Sequence, residues 1–495
     1  MKYERIRCFG VLAAAGLGVS GCVTVGVDYH DPEIPVPDAW TEALTRDLKG
    51  SKSSLENWWR GFHDPVLNEL IERTRAANPD LEIARERIVE ARAQRGIALS
   101  QGLPQANASG NYARNRASES LFAPAPAENP SNFYAAGFDA GWEIDVFGGI
   151  RRSVESAEAS IGSAEENYRD ALVSLFAEAA LNYVEYRTLE ERISVASANI
   201  KSQAESADLT QNRLDNGLVP KIDVTQAQTN LEISRSLLPA LQSQLVFAKN
   251  RLATLTGGYP KSIESLLAKS GSIPLPPSGY SAGLPADLLR SRPDVRRAER
   301  DLAAQTAAIG IAEADFYPRF TLFGDFSLQS VKSSNFFDGR SGVYSFGPAF
   351  QWQIFSAGRI RNSVLAEESR TRQALNRYES TVLGAVEEVE NSMAAIANER
   401  DRLTFLKNAV ASANETVSLI KDNYENGLVN FQNVLDAERT KFNVEDDKVA
   451  SEGQIAKNYI ILFKALGGGT EMELVPPHDG KVEEDSAKPE EEPES

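Results

Sequence analysis

The chain has 495 residues, 42% of them hydrophobic, and a formal net charge of −18. That length allows several domains or one elongated fold. The acidity excludes a nucleic-acid partner, whose phosphates would be repelled rather than neutralised.

Residues 1–21 read as an export signal: Lys2, Arg5 and Arg7, an apolar stretch from Phe9 to Val19, then small residues before a cysteine. The stretch is too short to span a bilayer as a helix. Val19-Ser20-Gly21-Cys22 resembles a bacterial lipobox, so Cys22 is the expected lipidation site and new N-terminus. Acyl chains contribute about 0.8 kcal/mol per buried methylene, and several on one residue tether a protein firmly. Cys8 leaves with the signal, so no intramolecular disulfide is expected. Val23 stands where an inner-membrane retention signal would place Asp, which points the lipid-anchored segment 22–65 to the outer membrane.

The rest is an internal duplication. Asn78-Pro79-Asp80-Leu81 parallels Arg292-Pro293-Asp294-Val295, and Gly96-Ile97-Ala98 parallels Gly310-Ile311-Ala312, at an offset of 214. Trp142 parallels Trp352, and Asn216-Gly217-Leu218-Val219 parallels Asn426-Gly427-Leu428-Val429, at an offset of 210. The difference of four falls around Leu121–Pro126, where an exposed hairpin tip tolerates it. The repeats are predicted at 66–260 and 285–468, with a linker at 261–284. From 469 to 495 the composition is acidic and nearly devoid of apolar residues, predicting a disordered tail.

Each repeat reads as a helix, two strands and a pair of long helices. Ahead of the tips at Gly217 and Gly427, the segments from Arg151 and Arg361 contain no proline and one glycine apiece. Helices of about 90 Å follow at 1.5 Å per residue, with apolar residues at threes and fours that suit side-by-side packing. Strands are predicted at about 105–116, 133–147, 319–330 and 343–355, where the period switches to two. In the second, Tyr134, Ala136, Phe138, Ala140, Trp142 and Ile144 share one face, opposite Asp139, Glu143 and Asp145. In the third, Phe320, Leu322, Phe326 and Leu328 oppose Thr321, Asp325, Ser327 and Gln329, with Phe323 breaking the polar face. An apolar face with no obvious cover suits lipid, with water on the other side of a transmembrane β-barrel. Asp139, Glu143, Asp145 and Asp325 are then lumen-facing. Four strands cannot close a barrel, and open edges do not survive in hydrocarbon, so copies must pool them. Three chains supply twelve.

Trp58-Trp59-Arg60-Gly61-Phe62, the run Gly283-Leu284-Pro285-Ala286-Asp287-Leu288-Leu289-Arg290-Ser291-Arg292-Pro293-Asp294, and Val434-Leu435-Asp436-Ala437 resemble the TolC-like outer membrane efflux family. The likeness is to its NodT-type lipoproteins, which serve resistance-nodulation-division (RND) systems. It implies a mainly α fold with a membrane β-barrel: a homotrimer whose twelve-stranded barrel continues into a long α-helical periplasmic barrel. It also implies a periplasmic adaptor and an inner-membrane RND transporter as partners, and the outer membrane of a Gram-negative bacterium as location. By the same resemblance Asp223 and Tyr424 match a pair linking inner to outer helices in the closed state, and Asp436 matches one member of an aspartate ring at the aperture. Asn433 and Val429 depart from that pattern, replacing the other ring aspartate and a bracing arginine.

The expected role is an exit duct for small molecules driven by the pump. Type I protein secretion and a non-conducting structural lipoprotein are the alternatives. No cofactor or enzymatic activity is expected: His30, His63 and His478 lie in unrelated segments, and the carboxylates are spread along helices. Arg292-Pro293-Asp294 reads as a helix start with local charge pairing, Gly217 and Gly427 as helix-hairpin tips, and Trp58-Trp59 as a packed anchor.

Overall fold

The computed structural model describes residues 23–37, 39–41, 53–118, 120, 129–269, 271–275 and 290–469. The expected signal at 1–21, Cys22, the tip Leu121–Pro126, residues 276–284 of the linker, Gly283–Leu289 of the motif and residues 470–495 of the tail lie outside them. Contacts divide the chain into a strand-bearing unit, from Met1–Tyr29, Arg95–Ala157 and Gln305–Arg370, and a helical unit from the remainder.

After a helix α1 (Pro65–Ala77), the elements fall in two matching series. The first is α2 (Pro79–Ser100), β1 (Gln105–Asn115), β2 (Ser131–Ile144), α3 (Gly149–Asp215) and α4 (Lys221–Leu255). The second is α5 (Pro293–Ala314), β3 (Arg319–Ser330), β4 (Gly342–Gln351), α6 (Arg359–Glu425) and α7 (Phe431–Ala465). Corresponding helices have equal lengths: 22 residues in α2 and α5, 67 in α3 and α6, 35 in α4 and α7. Each 67-residue helix is about 100 Å long at 1.5 Å per residue.

The duplication extends to the joints. At the hairpin tips Gly217 (φ 70°) and Gly427 (φ 73°) turn left-handed. The Leu218 amide donates to Arg213 O and the Leu428 amide to Asn423 O, both at 2.8 Å, closing the same glycine-dependent helix stop twice. Where each repeat begins, a side chain reaches the last carbonyl of that repeat's last helix. Asn78 Nδ2 donates to Leu255 O at 2.9 Å, and Arg292 donates to Ala465 O at 2.7 Å. Both donors are buried. Arg292 also grips Asp294 with two nitrogens, at 3.0 and 2.7 Å, and Glu388 at 2.9 Å, so the motif is structural. Burial alone would raise the Asp294 pKa, but the Arg292 fork outweighs it and holds the carboxyl below its ordinary value.

The main core lies in the helical unit, where Trp58 stacks on Phe463 at 5.2 Å and Trp59 meets Phe176 edge-on at 5.2 Å. The tryptophan pair is therefore a packed anchor. Behind it Asp64 caps α1 through the amides of Val66 and Leu67, and its other oxygen accepts from Tyr183 Oη at 2.7 Å. Buried Arg187 donates to Tyr183 Oη at 3.0 Å and to Lys269 O at 2.7 Å, tying α1, α3 and the start of the linker together.

The strand unit carries one antiparallel sheet in the order β1-β2-β3-β4. β2 ends at Ile144, not near 147 as the alternation predicts, and β4 ends at Gln351, not near 355. The cause at the first site is Asp145, whose carboxylate accepts from the amides of Ile150 (3.2 Å) and Arg151 (2.9 Å) and so starts α3. A repeated anchor marks these ends: Trp142 Nε1 donates to Gly102 O at 2.8 Å and Trp352 Nε1 to Phe316 O at 2.9 Å.

Removing Arg292 leaves Glu388, Asp294 and the Ala465 carbonyl without their shared donor, so Arg292→Ala is expected to destabilise the protein by about 3–5 kcal/mol. Asn78→Ala loses two neutral hydrogen bonds, the one it donates to the Leu255 carbonyl and the one it accepts from the Asp80 amide, for about 1–3 kcal/mol. Thermal melting followed by circular dichroism ranks the two, and an Asn78→Ala loss as large as that of Arg292→Ala would contradict this assignment.

Candidate functional site

Register decides what the sheet can do, because a slip of one residue exchanges its faces. Asn107 pairs with Asp139, Asp139 with Asp325, and Asp325 with Ser345, so one row of polar groups crosses all four strands. Glu143 lies opposite Thr321 on the same face. Two carboxylates directly opposed repel, and Asn107 Nδ2 offsets part of this by donating to Asp139 Oδ2 at 3.0 Å. Asp145 lies beyond the strand as a helix cap. Its charge therefore serves the first turn of α3.

The opposite face is apolar or small along most of each strand, with Arg114, Asn132 and Ser330 at one end of it. Phe138 pairs with Phe326, which pairs with Tyr344; Ile144 pairs with Phe320, which pairs with Phe350. Phe138 is 69% exposed and Phe346 78%, so the described residues supply no cover for this face. Among the described residues β1 and β4 each pair on one side only, and both sheet edges stay open.

The other candidate region is the hairpin tips, packed around a small apolar cluster of Ala207, Ala227, Leu231, Tyr424, Phe431 and Val434. Tyr424 is 3% exposed, its ring 5.3 Å from that of Phe431 and 4.8 Å from the Arg213 guanidinium. Arg213 also donates to Glu425 O at 2.9 Å, covering the end of α6. Burial raises the Tyr424 pKa, the Thr210 hydroxyl and Arg213 lower it, and the Asp223 carboxylate adds to the rise. Asp223 thus acts on Tyr424 through space, and the Tyr424 hydroxyl completes no well-formed hydrogen bond among the described residues. Asp436 is half-exposed, 3.0 Å from Arg439 and 3.3 Å from Gln432, and lines a cavity of about 370 Å³ with Asn433, Val429 and Ile420.

Glu438 is the residue that sequence reasoning passed over. It is 2% exposed and pairs with Lys421 at 2.8 Å, while Ser206 Oγ donates to it at 2.7 Å. One buried carboxylate on α7 therefore joins α3 and α6. Farther along, Arg192 grips Asp446 with two nitrogens, at 2.8 and 2.9 Å, again linking α3 to α7. A helical carboxylate ordinarily reads as solvated, and the serines that it meets, Ser202 and Ser206, lie 236 and 232 residues away in the sequence.

The model of the family described as outer membrane efflux protein matches residues 70–258 and 284–468. Nodulation protein T of Rhizobium leguminosarum bv. trifolii is 31% identical over 451 residues, covering 91% of this chain and 95% of that protein. The cation efflux system protein CusC of Escherichia coli O6:H1 is 28% identical, covering 92% of this chain and 97% of its own. Among solved structures, the outer-membrane channel OprN superposes with a TM-score of 0.81 at 31% identity, covering 90% of this chain and 99% of that one.

Glu438→Ala leaves the Lys421 ammonium half-buried with no acid, so a loss of about 3–5 kcal/mol is expected. Asp436→Ala, at an exposed pair, should stay within about 0.5 kcal/mol. Thermal melting of the two variants checks this, and equal stability of both would show that the buried pair ties nothing together.

Proposed function

The chain belongs to the outer membrane efflux protein family and is an outer-membrane efflux channel; we propose that it works as a homotrimer anchored by lipid on Cys22. The observation that carries this reading is the sheet with an uncovered apolar face and two open edges. Joining β4 of one copy to β1 of the next satisfies both edges, and three copies give twelve strands with no edge left. Lipid then meets Phe138, Phe326, Tyr344 and Phe346, and water meets Asn107, Asp139, Asp325 and Ser345.

Supply comes from an inner-membrane RND-type transporter through a periplasmic adaptor, and transport through the duct itself is passive. The helix tips form the periplasmic gate. Asp223 and Tyr424 bias it toward closure, Arg213 braces Tyr424 where Val429 cannot, and the Asp436 side chains of three copies line the aperture. Gly217 and Gly427 supply the tight reversals that end each hairpin.

Single-channel recording in planar bilayers tests both ends of the duct. A salt gradient should give a reversal potential favouring cations, weakened by Asp139→Asn with Asp325→Asn. Tyr424→Phe and Asp223→Ala should each raise conductance, and the double variant should gain little beyond either. Absence of any conductance would reject the duct, and unchanged conductance in both single variants with trimers intact would move the gate elsewhere. Labelling with a radioactive fatty acid should mark the protein and fail in Cys22→Ser; equal label in the variant would reject the anchor.

A further inference from the structure

We infer that Arg114 and Arg116, at the outer end of the apolar sheet face, bind the phosphates of an outer-leaflet glycolipid whose acyl chains lie along that face. The site needs only that the sheet spans the outer membrane, and it is independent of the number of copies and of the gate.

Depth follows from the strands. Trp142 and Asn132 share the apolar face of β2 and stand ten positions apart, and Arg114 is the partner of Asn132 on β1. Ten residues at about 3.4 Å each, tilted by about 40°, rise roughly 25 Å, the height of the apolar band of an outer-membrane barrel. Trp142 belongs to the end of the sheet from which α3, a periplasmic helix, starts, and a tryptophan there marks the inner water interface. Arg114 and Asn132 therefore stand at the outer interface, at headgroup level. Just inside them Tyr112 and Tyr134, their rings 5.0 Å apart, form the aromatic belt.

The ladder puts both arginines on one side. Beyond the last pair, Asn115 with Ser131, the Asn129 side chain takes the place of a rung: it donates to Ala117 O and accepts from the Ala117 amide, both at 2.9 Å. The segment so held keeps its register past the end of β1, and Arg116 falls on the side of Arg114, about 7 Å farther along. Both residues are exposed, and neither makes a hydrogen bond or ion pair among the described residues. Tyr112 Oη donates to Asn132 Oδ1 at 3.3 Å, which leaves the Asn132 amide nitrogen as a further donor beside Arg114. Ser330 pairs with Tyr134, so exposed Lys332, two residues past the end of β3, comes to the row of Asn132; its amide donates to Ser330 Oγ at 3.2 Å.

The surroundings choose the ligand. Unpaired guanidinium groups at the edge of hydrocarbon fit an anion, and their planar fork matches phosphate oxygens. Toward the membrane centre β1 presents only Ala106, Ala108 and Gly110 on this face, opposite Ala140, Phe138 and Ala136. That is a low apolar strip on which an acyl chain can lie directly below the arginines. A soluble phosphate would leave the strip unused. Two guanidinium groups with an ammonium nearby match the charge of a headgroup bearing two phosphates, where a phospholipid carries one.

Native mass spectrometry of the full-length lipidated chain in detergent tests the site by titration with three lipids: diphosphoryl lipid A, lipid A stripped of both phosphates, and phosphatidylglycerol. The unmodified protein should hold the diphosphoryl form at least about tenfold more tightly than either of the others, and Arg114→Gln with Arg116→Gln should abolish that preference. Arg319→Gln removes a cation at the start of β3, the opposite end of the sheet, and should leave the preference unchanged. The double variant should melt like the unmodified chain, since it orphans no partner; if it does not, Arg116→Gln alone, past the end of the strand, should still weaken binding of the diphosphoryl form. Undiminished preference in the folded variant would overturn the site. Equal affinity for phosphatidylglycerol would overturn the glycolipid, and a loss in Arg319→Gln as large as in the double variant would reduce the effect to general charge attraction and overturn the site as well.

Discussion

A backbone amide in hydrocarbon needs a hydrogen-bond partner, because no water is there to supply one. That single demand governs the strand unit. Among the described residues the four strands satisfy one another across three ladders and leave the outer sides of β1 and β4 open. The apolar face cannot be solvated and the edges cannot be left in lipid, so a lone chain in a membrane is an incomplete object. The self-association proposed above would meet both demands. It also explains why the apolar face needs no cover from the chain itself.

The duplication makes such completion cheap in sequence terms, since one kind of joint serves twice. Trp142 and Trp352 hold their carbonyls alike, and Gly217 and Gly427 reverse their helices alike. Yet equivalent joints need not use equivalent residues. An amide at Asn78 and a guanidinium at Arg292 do the same work on the last carbonyls of α4 and α7, and only the second also gathers two carboxylates. Identical halves would pack with each other in more than one order. Differences of this kind give each half its own contacts.

The strand faces were legible because a period of two holds over ten or more residues, and the register then kept odd positions with odd across all four strands. Even Phe323 on the polar face follows from its own number. Strand ends were less legible, since alternation continues through Asp145 and only its side chain, captured by the amides of Ile150 and Arg151, stops the strand. The tips were legible from Asn-Gly pairs. What the sequence hid is the polar seam inside the hairpins: Ser206 and Glu438 are 232 residues apart, and Lys421 comes from a third helix. A carboxylate on a helix carries no local mark of which way it faces when charged residues surround it on every side.

Among the described residues, several buried polar groups lie in the interior of the hairpins towards the tips. Asn199, Gln203, Arg213, Asn230, Tyr424 and Glu438 each keep a buried polar atom without a hydrogen-bond partner. The apolar cluster that packs these helices together is small. Another arrangement of the same helices that admitted water would hydrate some of those atoms while exposing little. The main core around Trp58, Trp59 and Phe463 has far more apolar area to lose. With a smaller apolar cluster than the main core, the tips belong to the low end of the stability range. The gate proposed above sits on that smaller cluster, so a partner that bound the open arrangement better would have little apolar packing to displace.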